Sequence, residues 1–137
     1  MMRRIILVLT VGVLLLALTS TVALAATRYG TDGHDVLFGS HSADQMYGFG
    51  GDDIISGLRG NDLIYGGYGE DALWGSYYGN DNLYGRSGAD ELQGMGGNDY
   101  ISANEGKRDL VDCGPGRDWF NTDSFDVVRN CEVPALT

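Results

Sequence analysis

Eight aspartates, Asp35, Asp44, Asp53, Asp62, Asp71, Asp81, Asp90 and Asp99, recur at nine-residue intervals broken by a single longer step between Asp71 and Asp81. An ionised carboxylate offers only acceptor oxygens, so a row of them at one fixed position collects charge that must be met by cations or protons. Other chemistry is poorly represented. His34 and His41 are the only histidines, and no motif sets a serine or cysteine nucleophile beside them. A zinc site needs more than this pair, and each carboxylate that might serve a glycosidase belongs to the repeat. Catalysis is therefore not expected.

The positions around the aspartates show what must hold them. Each of the first five follows Gly30, Gly39, Gly48, Gly57 or Gly66 by five residues, and Gly75, Gly85 and Gly94 lead the remaining three. A second glycine precedes the aspartate by two positions at Gly33, Gly51, Gly60, Gly69, Gly79, Gly88 and Gly97, with Ser42 as the exception. Such glycines permit a tight turn. Two residues past each aspartate stands an aliphatic: Leu37, Met46, Ile55, Ile64, Leu73, Leu83, Leu92 and Ile101. That triplet reads as a very short strand with one inward side chain. Turn plus strand make half a coil, so eighteen residues close one circuit of a flattened solenoid. Leu37, Ile55, Leu73 and Leu92 then face inward from one sheet, and Met46, Ile64, Leu83 and Ile101 from the other. One side chain cannot form a core alone, so stability must come from stacking. One extra residue, around Tyr77-Tyr78, is the only break in the period.

Gly66-Gly67-Tyr68-Gly69-Glu70-Asp71-Ala72-Leu73-Trp74 matches in full the nonapeptide glycine-glycine-x-glycine-x-aspartate-x-aliphatic-x, and the array resembles the RTX family of calcium-binding repeat proteins. Most other units replace the second glycine, by Thr31, Ser40, Phe49, Leu58, Ser76, Arg86 or Met95. The resemblance covers residues 30–102. It implies an all-β fold, a parallel β-roll or β-solenoid of about eight nonapeptide units. It further implies calcium ions between adjacent turns, held by the eight aspartates and by turn carbonyls around Gly33, Gly51, Gly60, Gly69, Gly88 and Gly97.

Elementary chemistry agrees, since calcium accepts 6 to 8 oxygen ligands in irregular geometry. Turns one circuit apart pair Asp35/Asp53, Asp44/Asp62, Asp53/Asp71, Asp62/Asp81, Asp71/Asp90 and Asp81/Asp99. Two of these pairs span the extra residue and are the least regular. Without ions, like-charged turns would stack at a strand spacing of about 4.8 Å, so metal binding and folding are expected to be one process. The competing expectation is a metal-free solenoid whose aspartates cap turns. An EF-hand is excluded, because no stretch has its ligand spacing.

Met1-Met2-Arg3-Arg4, an apolar Ile5 to Leu18 and Ala23-Leu24-Ala25 have the layout of a secretory signal peptide cleaved after Ala25. The apolar run is shorter than the roughly 20 residues a membrane anchor needs. Cleavage removes two arginines and no acid, leaving 7 basic and 19 acidic groups, net −12, against −10 for the whole chain. Nucleic-acid binding is disfavoured by that sign. No membrane span remains after cleavage, and the product is expected outside the cell. Cys113 and Cys131, 18 residues apart, would there form a disulfide between adjacent coils; a redox-active pair is the alternative. The expected organisation is signal peptide 1–25, short lead 26–29, repeats 30–102, and degenerate repeats with a disulfide-linked cap over 103–137. Trp119, Phe120 and Phe125 are expected to cover the open end.

Tyr47, Tyr65 and Tyr84 fall on one outer face about one coil apart, with Phe38 and Trp74 on the other. They either stiffen the sheet by cross-strand stacking or offer a platform to a partner. Two functions follow. One is a secreted calcium-binding module that is structural or interactive and non-catalytic. The other is a calcium-dependent adhesion protein whose flat face meets a cell surface, a polysaccharide or ice.

Overall fold

The computed structural model describes residues 24–132. Apart from Leu24 and Ala25, the segment read as a signal peptide lies outside the described residues. Twelve short strands alternate between two sheets. The first sheet holds β1 (Thr27–Tyr29), β3 (Gln45–Gly50), β5 (Leu63–Tyr68), β7 (Asn82–Ser87), β9 (Tyr100–Ala103) and β11 (Trp119–Thr122), stacked in that order. The second holds β2 (Val36–Phe38), β4 (Ile54–Leu58), β6 (Ala72–Ser76), β8 (Glu91–Met95), β10 (Leu110–Asp112) and β12 (Val127–Arg129). Neighbours pair in parallel, one circuit apart. Met46, Ile64, Leu83, Ile101 and Phe120 are in register on one side; Leu37, Ile55, Leu73, Leu92, Val111 and Val128 are in register on the other. Among the described residues, no helix is long and apolar enough to cross a membrane.

The core is the double file of aliphatics that the spacing predicts. Met46, Ile55, Ile64, Leu73, Leu83, Leu92, Ile101 and Val111 are fully buried. Each strand from β3 to β10 contributes one of them, so the core is a single side chain thick on each side. Six strands per sheet make about six coils, whereas eight nonapeptides alone would close four. The added coils come from β1, which precedes the first repeat turn, and from β10 to β12, where the turns ahead of Asp109 and Asp118 keep Gly106 and the pair Gly114 and Gly116. Cys113 and Cys131 form the expected disulfide across the last two coils, with Cα atoms 4.9 Å apart. The aromatic cap is only partly as expected: Phe120 packs against the core, while Trp119 and Phe125 are each 62% exposed. Trp119 follows Asp118 by one position, which in this repeat points outward, so it cannot reach the end of the core.

Stacking at strand spacing forces glycine where turns meet. At Gly97, φ is +128°, and a Cβ would stand 1.6 Å from the Gly79 carbonyl oxygen of the preceding coil. The second turn position is less strict. Gly67 is left-handed at φ +128°, and Phe49, Leu58, Arg86 and Met95 hold the corresponding place at φ between +72° and +76°. An L side chain there costs roughly 1–2 kcal/mol, partly offset by the extra unfolded-state entropy of glycine. Leu58 is also 44% exposed, so Leu58→Gly is expected to stabilise the chain by about 0.5–1 kcal/mol in denaturant unfolding.

Candidate metal centre

Every strand from β2 to β12 begins just after an aspartate, and the turns therefore set the aspartates in two columns, one along each long edge. The backbone N–H of each aspartate donates to Oδ1 of the aspartate one coil on. This bond is 2.8 Å for Asp35 to Asp53, Asp44 to Asp62, Asp53 to Asp71 and Asp81 to Asp99. The pairs that span the extra residue, Asp62 to Asp81 and Asp71 to Asp90, are as well formed, at 2.8 and 2.9 Å. The insertion is taken up at the turn, where Tyr77 and Tyr78 are 71% and 69% exposed. The columns also run past residue 102: Asp90 donates to Asp109, Asp99 to Asp118 and Asp109 to Asp126.

The second carboxylate oxygen divides the aspartates. Oδ2 of Asp35 accepts from Thr31 N and Oγ1, and Oδ2 of Asp44 accepts from Ser40 N. Oδ2 of Asp53, Asp62, Asp71, Asp81, Asp90, Asp99, Asp109 and Asp118 is buried with no hydrogen-bond partner. A buried acceptor left unpaired is costly, and here it recurs at one position of the repeat. Carbonyl oxygens converge on the same places. The point where a Cβ on Gly48 would stand lies 2.3 Å from Asp53 Oδ2 and 2.4 Å from the Gly66 carbonyl oxygen. At Gly66 the corresponding oxygens belong to Asp71 and Gly85, and at Gly75 to Asp81 and Gly94. Meanwhile, the carbonyls of Gly51, Gly60, Gly69 and Gly97, four of those expected as ligands, press on the turn glycine of the next coil. A set of desolvated carboxylates and carbonyls with no nitrogen or sulfur suits a hard cation such as calcium, so the residues present fit the group.

Burial pushes the carboxyls of Asp62, Asp90 and Asp99 up to about 7 and that of Asp71 to about 6, against the N–H donated by the preceding aspartate. Asp53, Asp81, Asp109 and Asp118 are raised for the same reason. Because the folded values exceed the ordinary carboxyl value of 3.8, the ion-free coil is favoured while these groups are protonated. It loses that contribution as pH rises through about 6 to 7. Metal binding runs the other way, since ligands must be deprotonated. In calcium-free buffer, strand circular dichroism is expected to be stronger near pH 4 than near pH 8, and the calcium concentration needed for half-maximal signal should fall across that interval. A midpoint independent of pH would contradict this assignment.

A second ladder escaped sequence reasoning. Polar residues just before an aspartate also bond along the edge: Glu70 N donates to Asp52 Oδ1, Asn80 N to Asn61 Oδ1, Asn98 N to Asn80 Oδ1 and Arg117 N to Asn98 Oδ1. Its signal was the frequency of Asp and Asn at that position. The ring Nδ1 of His34 lies 3.0 Å from the Asp52 carbonyl oxygen and 3.1 Å from its N, and so belongs to the stacking.

Tyr47, Tyr65 and Tyr84 stack with ring centroids 5.2 and 4.7 Å apart. Tyr29 extends the stack at 5.4 Å, and Tyr100 closes it at 5.7 Å in a tilted pose. The Arg86 guanidinium covers Tyr65, 4.8 Å from the ring centroid.

Comparison with known families finds one match. The family described as RTX calcium-binding nonapeptide repeat (4 copies) matches residues 29–48, 47–76 and 77–110, more than half of the chain. No curated protein and no solved structure matches it.

Proposed function

This chain belongs to the RTX calcium-binding nonapeptide repeat family, and on that premise we propose that it is a secreted, non-catalytic β-roll that folds as it takes up several calcium ions and acts as a structural or interaction module. The observation that carries the reading is the row of buried, partnerless Oδ2 atoms from Asp53 to Asp118. Only a bound cation or a proton relieves them, and protons leave near neutral pH. Export is supported by the tripartite start of the sequence and by the Cys113–Cys131 disulfide, which persists in oxidising compartments. The tyrosine column favours stiffening over an adhesive platform, because its stacked rings spend their faces on one another and leave edges outward.

Calorimetric titration of the disulfide-bonded chain with calcium, followed in parallel by far-UV circular dichroism, tests the proposal. Uptake of several ions per chain, with strand signal rising in step, is the expected outcome. Absence of heat, or one weak ion with no structural change, would refute it.

A further inference from the structure

We propose that Asp90, Asp109 and Glu105 form a calcium site of higher charge than any other on the roll, and that it is the first to fill; this rests on the calcium reading above. Glu105 stands four residues before Asp109. The residues four before the other repeat aspartates are Thr31, Ser40, Phe49, Leu58, Gly67, Tyr77, Arg86 and Met95, so no other repeat turn has a carboxylate at this position. One oxygen from each of Asp90, Glu105 and Asp109 lies within 4.8 Å of the others. With calcium–oxygen distances of about 2.3–2.6 Å, one ion can bridge ligand atoms that far apart.

The cluster is more than surface acidity. Asp90 and Asp109 are 2% and 1% exposed, and Oδ2 of each has no partner, so two of the three groups are desolvated acceptors. Their other oxygens are fixed by the column: Asp71 N donates to Asp90 Oδ1 at 2.9 Å, and Asp90 N to Asp109 Oδ1 at 2.7 Å. The loop that carries Glu105 is pinned by Gly106 N donating to Asp123 Oδ2 at 2.7 Å, and Asp123 N in turn donates to Asp126 Oδ2 at 2.8 Å. Glu105 itself is exposed, which leaves an approach for the ion from solvent. Arg108 and Arg129 line the groove beside the cluster, yet the buried Oδ2 atoms remain unpaired. Among the described residues, no other pair of column aspartates has a third carboxylate oxygen gathered within 4.8 Å. Here three charges meet one divalent ion, and calcium affinity rises with ligand charge and rigidity.

Calcium calorimetry on the wild-type chain and on Glu105→Gln separates the possibilities, with Glu70→Gln, an acid lining the same groove, as control. The wild type should show a tight first class of one ion ahead of a weaker remainder. E105Q should weaken that first ion by at least about tenfold while the remainder and the final strand signal in saturating calcium stay as they were. E70Q should reproduce the wild-type isotherm, and Glu105→Asp should restore part of the tight class. An E105Q isotherm superimposable on the wild type, or equal weakening by E70Q, would overturn the proposal while leaving calcium binding intact. A wild-type chain that takes up no calcium would instead overturn the reading beneath it.

Discussion

With excess chelator near neutral pH, the chain is expected to lose its β-strand circular dichroism almost entirely, and millimolar calcium is expected to restore it. The eight buried Oδ2 atoms explain the size of the effect. Removing water from an acceptor without replacing its hydrogen bond costs about 1–3 kcal/mol, and more for a charged one. Eight such groups together outweigh the roughly 5–15 kcal/mol by which a domain of this kind is usually stable. Magnesium should not substitute, because it demands near-octahedral geometry and keeps its water, whereas these ligands are fixed by the strand ladder. Strand signal that survives chelation would mean that the carboxylates carry protons or other partners, and the metal-free solenoid would then be the better description.

Ile64→Ala should be the most damaging single core substitution, costing about 3–5 kcal/mol in calcium-saturated denaturant unfolding. Ile64 is fully buried and sits in register between Met46 and Leu83. Leu and Ile truncations span a range because sites differ in how far they collapse. Collapse is restricted here, since the rungs above and below are held at strand spacing and the core is one residue deep. The damage should also be non-local: in a linear array each coil contacts only its neighbours, so a broken middle rung separates two short stacks. Leu37→Ala, at a half-buried end position, should cost clearly less. Equal losses at the two sites would argue against this picture.

The register of the solenoid was legible because one period governed turn, ligand and core at once. Glycine, aspartate and aliphatic spacings each gave the same nine, and the structure puts Met46, Ile64, Leu83 and Ile101 in one file as that period demands. What stayed hidden lay ahead of the first turn signature: Thr27–Tyr29 pairs with β3 although no repeat aspartate precedes it. Likewise, spacing could not say that Thr31 and Ser40 would satisfy Asp35 and Asp44. Nor could it say that Asp109 and Asp118 would stand partnerless at the other end. A carboxylate's second oxygen depends on what the neighbouring turn offers, which a repeat pattern does not record.

The turn at Tyr77 and Tyr78 carries one residue more than its counterparts, yet Asp62 and Asp81 meet at the same 2.8 Å as the regular pairs. Turn length is thus uncoupled from the spacing of the rungs. The protein behaves as a ruler whose graduations are fixed by backbone pairing and whose tick marks can be lengthened at will. A foreign loop spliced between Tyr77 and Tyr78 would project from a known height on the edge, and copies placed at other turn apices would be spaced by whole multiples of the coil rise.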